Sequence, residues 1–81
     1  MMGKLHNRIK QYREERNISR EDLAKAIGVS VPRLDRFEKE IADPPMRVAY
    51  RILVYFDVNM VDMFWMDNDS TLPWLFSILT Q

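Results

Sequence analysis

The sequence lacks cysteine altogether, and this absence excludes disulfide bonds, thiolate catalysis and most zinc sites. The one histidine, His6, has no clustered acids beside it, so we predict no metal site and expect a solvated side chain at a helix start. No apolar run approaches the roughly 20 residues that span a bilayer, and the start, MMGKLHNRIK, is too polar for a signal peptide. These absences predict a cytoplasmic protein without a cofactor, a metal or a membrane partner.

A catalytic arrangement is missing as well. No serine has a histidine base at a recognisable spacing, and the paired acids Glu14-Glu15 and Glu21-Asp22 fall on different helix faces. We therefore predict that the protein is not an enzyme.

An excess of charge of one sign is also absent, because twelve Lys and Arg balance twelve Asp and Glu. Residues 1–40 nevertheless hold ten basic and seven acidic residues, whereas residues 41–81 hold two and five. Contact with phosphates requires a basic face, and a neutral total does not exclude one. Charge alone leaves open that these residues simply coat a small domain.

Glycine is scarce, with two in 81 residues, while apolar residues recur at helical spacing. Leu5, Ile9 and Tyr12 share one face and predict a first helix over about residues 4–16, which Asn17 suits as a C-terminal end. Strand signals are weak, and 81 residues make one domain.

Two serines predict the starts of the next helices. Ser19 is a suitable N-cap for a second helix, which Gly28 ends. Ser30 is a suitable N-cap for a third helix, with Pro32 in its first turn, where a missing N–H costs nothing. Two short helices around a glycine corner form a helix-turn-helix, and a projecting helix about 10–12 Å across fits the major groove of DNA.

Apolar spacing predicts two further helices. The fourth covers about residues 46–56, and a short fifth helix carries Val61, Phe64 and Trp65. The inward residues of the fourth helix are Val48, Ala49, Ile52, Leu53 and Phe56.

Four segments together carry a resemblance to a known family: S-R-E-D-L-A-K-A-I-G-V-S, R-L-D-R-F-E, D-P-P-M and D-V-N-M-V-D-M-F. Residues 5–65 resemble the phage-repressor and Cro-like (XRE-like) helix-turn-helix regulators. The resemblance implies an all-α fold, a five-helix lambda-repressor-like DNA-binding domain over residues 1–66, whose third helix reads the major groove. It also implies that Glu38 pairs with a basic residue of the first helix, here Arg13.

The resemblance also implies the site residues. Those implied to contact base edges are Val31, Pro32, Asp35 and Arg36. Those implied to contact phosphates are Arg20, Ser30, Arg33 and Lys39. The alternative for Arg36 is a surface ion pair with Asp35, Glu38 or Glu40.

Some positions depart from the family pattern. Arg20 stands where glutamine is usual, Val31 and Pro32 where polar residues are usual, and Glu40 where glycine is usual. The implied function is a sequence-specific regulator that binds double-stranded DNA, a repressor acting as a homodimer on a palindromic operator. A second hypothesis stays open because of the neutral total charge and of Val31, Pro32, Glu40 and Ile41. It is a helix-turn-helix fold used as a protein-interaction module, an antirepressor or antitoxin-like partner with weak or no DNA binding.

The C-terminal tail, residues 67–81, holds more apolar residues than one small domain can bury. We predict a dimerisation element there, as a short sixth helix or an extended segment, and the alternative is a tail that folds back on its own domain. The predicted interface residues are Trp65, Leu72, Trp74, Leu75, Phe76 and Ile78.

Overall fold

The computed structural model describes residues 3–67, which form five helices and a two-stranded sheet. The elements are β1 (Leu5–Asn7), α1 (Ile9–Glu15), α2 (Arg20–Ile27), α3 (Val31–Glu38), α4 (Met46–Phe56), α5 (Met60–Met63) and β2 (Phe64–Met66). The second, third and fourth helices lie where the sequence predicts them. The described part is mostly helical with five helices, as predicted, and it adds a small two-stranded sheet that joins its two ends.

The sheet replaces the predicted start of the first helix and the predicted end of the fifth. β1 and β2 are antiparallel, with Leu5 opposite Met66 and His6 opposite Trp65. Three-residue strands are too short to show the alternation that identifies a strand in a sequence. Leu5 packs on the same core as Ile9, so an apolar spacing that predicts one helix arises here from a strand followed by a helix.

Within residues 3–67, four of the five helices are followed within two positions by a residue in the left-handed backbone conformation, where φ lies between 55° and 76°. These residues are Asn17, Gly28, Glu40 and Asp57. Only one of them is glycine, the residue for which this conformation carries no steric penalty. At Glu40 the following amide, Ile41 N–H, donates to the Arg36 carbonyl at 3.0 Å, which closes a Schellman turn after α3. Glu40 therefore adopts the conformation for which the family pattern uses glycine.

The core lies between α1, α2, α3 and α4 and is closed by α5 and β2. Its buried apolar residues are Ile9, Leu23, Ala24, Ile27, Leu34, Phe37, Val48, Ala49, Ile52, Phe56, Met63 and Phe64. The inward positions predicted for α4 are confirmed except Leu53, which is half-buried. Val61, placed on the fifth helix as an apolar position, is 69% exposed.

A buried ion pair fixes α3 against α1, as the resemblance implies. Arg13 Nε lies 2.7 Å from Glu38 Oε2, and Arg13 Nη2 donates to Glu38 Oε1 at 3.2 Å. The Glu38 carboxylate is 1% exposed, and Arg13 Nη1 also donates to the Ile18 carbonyl at 3.1 Å. Both charged groups are buried and their contact is bidentate, so the orientation of α3 depends on it.

Candidate nucleic-acid interface

The corner between α2 and α3 is built by two serine caps and one glycine. The Asp22 amide donates to Ser19 Oγ at 3.0 Å, and the Arg33 amide donates to Ser30 Oγ at 3.3 Å. Gly28 has a φ of +76°, which turns the chain between the two helices. Both predicted caps and the predicted turn are confirmed.

α3 and its C-cap Lys39 carry six of the eight residues predicted to contact DNA. Pro32, Arg33, Arg36 and Lys39 are exposed, whereas Val31 and Asp35 are half-buried. Val31 packs against the core, so it presents less surface to a ligand than its neighbour Pro32. Ser30 caps the same helix, and Arg20 reaches it from the start of α2.

One flank of α3 is occupied by ion pairs, and we call Arg20, Asp35, Glu38 and Lys39 the paired flank. Arg20 Nε lies 3.1 Å from Glu38 Oε1 and 3.9 Å from Asp35 Oδ1. Lys39 Nζ lies 3.0 Å from Asp35 Oδ2, one helical turn away. The positive charges of Arg20 and Lys39 are therefore partly compensated by carboxylates, which reduces the potential available to a phosphate.

The opposite flank carries arginines that have no carboxylate partner in the described part of the chain. Within residues 3–67, Arg33 and Arg36 make no ion pair, so the pairing alternative for Arg36 does not occur there. Arg33 lies over the Phe37 ring, with 5.4 Å between Cζ and the ring centroid. The two arginines line a recess beside α3 together with Ser30, Pro32, Phe37, Ala42 and Asp43.

Two further arginines extend this surface, and reasoning from the helix-turn-helix motif missed them. Arg47 and Arg51 lie one turn apart on α4, and both are exposed. They are the only basic residues of the second half of the chain, and their i, i+4 spacing is the signal that places them on one face. Arg51 Nη1 donates to the Ile27 carbonyl at 3.3 Å, which brings it to the end of α2. Arg33, Arg36, Arg47 and Arg51 form what we call the arginine flank.

His6 is not the solvated helix-start residue predicted from the sequence, because it lies on β1 between two carboxylates. Its Nδ1 is 2.9 Å from Glu40 Oε1, and its Nε2 is 2.5 Å from Asp67 Oδ1. Only the doubly protonated ring donates to both. Hydrogen bonds to Asp67 and to Glu40 raise the pKa of His6 above its ordinary value of 6.5.

Glu40 is held by the same contacts. Its Oε2 accepts the Asn7 amide at 3.0 Å, and Asn7 Nδ2 donates to the Phe37 carbonyl at 2.9 Å. Partial burial raises the pKa of Glu40, but the hydrogen bonds from Asn7 and His6 outweigh it and hold that pKa below its ordinary value. The carboxylate thus binds the sheet to the end of α3.

Trp65 is the one predicted interface residue that lies within the described residues. Its ring stacks on His6 with 5.3 Å between centroids, and Arg8 Cζ lies 4.1 Å from the ring centroid on Trp65. The other five, Leu72, Trp74, Leu75, Phe76 and Ile78, lie outside the described residues.

Residues 3–67 contain neither a membrane-spanning helix nor a metal-binding cluster. No helix there is long and apolar enough to cross a membrane. No group of three or more His, Cys, Asp or Glu residues in that range is arranged to hold a metal ion.

Comparison with known proteins identifies the architecture. The sequence model of the helix-turn-helix family HTH_3 matches residues 9–63. An uncharacterized HTH-type transcriptional regulator of Methanocaldococcus jannaschii is 37% identical over 66 residues, which cover 82% of this chain and 100% of that protein. One from Archaeoglobus fulgidus is 32% identical over 66 residues, covering 82% of this chain and 93% of its own length. The Bacillus subtilis regulator YgzD is 27% identical over 66 residues, covering 82% and 100%.

Proposed function

This chain belongs to the HTH_3 family of XRE-like helix-turn-helix proteins, and from that premise we propose that it binds double-stranded DNA in a sequence-specific manner and regulates transcription. The observation that carries the proposal is the exposed side of α3, where Arg33 and Arg36 face solvent without a carboxylate partner within residues 3–67. An unpaired guanidinium is the group best suited to phosphates and to the major-groove edge of guanine.

The proposed base contacts come from the residues of α3 that face away from the core. Arg36 donates to O6 and N7 of a guanine, and Pro32 contacts a thymine methyl group. Val31 and Asp35 add contacts at the margins, because both are half-buried.

The proposed phosphate contacts fix the register of the protein on the duplex. Arg33 and the Ser30 hydroxyl provide the main contacts beside the N-terminal end of α3. Arg20 and Lys39 contribute less, because Glu38 and Asp35 compensate part of their charge.

Binding to a random duplex and to a selected duplex, measured by fluorescence anisotropy at increasing salt, tests the proposal. We expect affinity for both to fall as salt rises, since counterions are released from neutralised phosphates. The selected duplex should bind more tightly at every salt concentration. A protein that binds neither duplex at low salt would contradict a DNA-binding role.

We further propose that the protein acts as a homodimer on a palindromic operator and represses transcription. A single α3 reads few base pairs, and two half-sites about one helical turn, roughly 34–36 Å, apart restore specificity. Exposed apolar residues support a contact between copies: Met46, Tyr50 and Val54 follow one another on one stripe of α4, each more than 60% exposed.

Residues 67–81 are the proposed dimerisation element, with residues 1–66 as the DNA-binding domain. Trp74→Ala should convert the dimer to a monomer in analytical ultracentrifugation and weaken DNA binding more than folding. Because a twofold interface uses the same residue from both copies, the single change removes two contacts. A Trp74→Ala protein that still sediments as a dimer would contradict this role for the tail, whereas a monomeric wild-type protein would contradict the homodimer itself.

A second candidate function is protein interaction without DNA. Ile41, directly after the Glu40 turn, is 65% exposed, and Pro32 adds apolar surface at the other end of α3. This function predicts no salt-dependent affinity for a duplex, so the anisotropy experiment separates the two.

A further inference from the structure

A cleft between the corner and α4 gathers three arginines. Its volume is about 510 Å³, and its lining residues are Gly28, Arg33, Pro45, Arg47, Val48 and Arg51. No acidic residue lines it, and none of the three arginines makes an ion pair within the described range, 3–67. Three guanidinium charges facing one cleft repel each other, and a bound anion would relieve that repulsion.

The contacts around the cleft leave hydrogen-bond donors of its arginines available to a ligand. Arg51 uses Nη1 to bond the Ile27 carbonyl, which fixes its position, while its other donors remain. A Cβ atom at Gly28 would lie 3.0 Å from Arg51 Nη1, so glycine leaves the guanidinium the space it occupies. Pro45 and Val48 supply the apolar part of the lining.

The chemistry of the cleft selects phosphate. Guanidinium groups bind phosphate oxygens through two parallel hydrogen bonds, which makes arginine the residue of choice for recognition of phosphates and nucleic acids. Arg33 lines both this cleft and the recess beside α3. A phosphate in the cleft is therefore adjacent to any nucleic acid that contacts α3.

We propose that Arg33, Arg47 and Arg51 bind backbone phosphates of duplex DNA that flank the base pairs read by α3. The inference rests on the proposed function and adds to it a phosphate-binding site on α4, outside the helix-turn-helix. Contacts of this kind carry no sequence information, so the site raises affinity for every duplex equally.

The test compares charge removal inside and outside the cleft. Arg47→Gln and the double variant Arg47→Gln/Arg51→Gln remove charges from the cleft, and Lys10→Gln removes an exposed charge of α1 that does not line it. The measurement is the slope of log binding constant against log salt concentration, for a selected and a random duplex. One lost phosphate contact on B-DNA makes that slope shallower by about 0.9.

We expect Arg47→Gln to make the slope shallower by about 0.9 and the double variant by about 1.8, equally for both duplexes. Lys10→Gln should leave it near the wild-type value. Arg51 bonds the end of α2, so circular dichroism melting checks that the double variant folds, and Arg47→Gln alone decides the question if it does not.

Three results would overturn the inference in distinguishable ways. Wild-type slopes for the cleft variants, while the wild-type protein binds DNA, reject the cleft and leave the proposed function intact. A wild-type protein that binds no duplex rejects both. If inorganic phosphate at constant ionic strength abolishes the difference between wild type and Arg47→Gln, the cleft is a site for free phosphate instead of DNA.

Discussion

Both flanks of α3 contain basic residues, yet the structure gives these residues different surroundings. On the paired flank, Glu38 and Asp35 lie within 3.1 Å of Arg20 and Lys39 respectively, and Glu38 also binds the buried Arg13. On the arginine flank, Arg33 and Arg36 have no carboxylate partner within residues 3–67. The position of the nearest acid, more than the presence of a basic residue, therefore separates positions whose charge is compensated by an ion pair from positions where no carboxylate of the described residues compensates it.

Glu38→Ala removes the acid on which the paired flank depends and should have the largest effect. It leaves the buried Arg13 without its carboxylate partner, with only the Ile18 carbonyl as an acceptor, which costs about 3–5 kcal/mol of unfolding free energy. Urea denaturation measures it, with the exposed Glu14→Ala as the matched control. Equal urea midpoints for Glu38→Ala and Glu14→Ala would show that the buried ion pair does not stabilise the fold.

Gly28→Val alters the corner from which the arginine flank begins. A β-branched residue at a φ of +76° is strained, and we expect a loss of about 1–3 kcal/mol of unfolding free energy. Ala26→Val, on an exposed position of α2, controls for adding a valine. Urea denaturation measures the loss. Equal unfolding free energies for Gly28→Val and Ala26→Val would show that valine is not strained at position 28, which would contradict the left-handed corner.

Arg36→Ala tests the base contact proposed for the arginine flank. We expect specific binding to weaken by about 1–3 kcal/mol and one base-pair preference to relax, with the melting temperature unchanged. Binding to selected and to randomised duplexes measures both effects. An equal loss of affinity for all duplexes would make Arg36 a phosphate contact. A large fall in melting temperature would show that Arg36 stabilises the fold.

The smallest effect belongs to the contact between the sheet and the end of α3. The pKa of His6 is raised above 6.5, so its contribution to stability is present below 6.5 and is lost as pH rises through the raised value. The pKa of Glu40 is lowered from 4.5, so its contribution is present above 4.5 and is lost as pH falls through the lowered value. Both contributions are therefore fully present between pH 4.5 and pH 6.5, where His6 is protonated and Glu40 is ionised.

His6 is the only histidine, so its ring C2–H gives one NMR signal whose titration measures this pKa directly. Asp67→Asn should lower the pKa, because Asp67 is the strongest cause of the shift. Titration of the wild-type ring at or below 6.5 would contradict the two-carboxylate arrangement.

Local rules predicted the helix-turn-helix, whereas the contacts between distant residues required the structure. Ser19, Gly28 and Ser30 act on their immediate neighbours, so their roles follow from the sequence. The β1–β2 pair joins residues about sixty positions apart, and three residues a strand leave no periodic signal. The two acids that hold His6, Glu40 and Asp67, are likewise distant from it in sequence, so the sequence predicts a solvated helix-start residue instead. Arg47 and Arg51 lie outside the motif, and only the packing of α4 brings them to the corner.

The slope of log binding constant against log salt concentration for Arg33→Gln and for Lys39→Gln, measured on one duplex, tests most directly whether a carboxylate partner decides the role of a basic residue. The unpaired Arg33 should make the slope shallower by about 0.9 when it is removed. Lys39, 3.0 Å from Asp35, should change the slope less. An equal change for both variants, or a larger change for Lys39→Gln, would contradict the distinction between the two flanks.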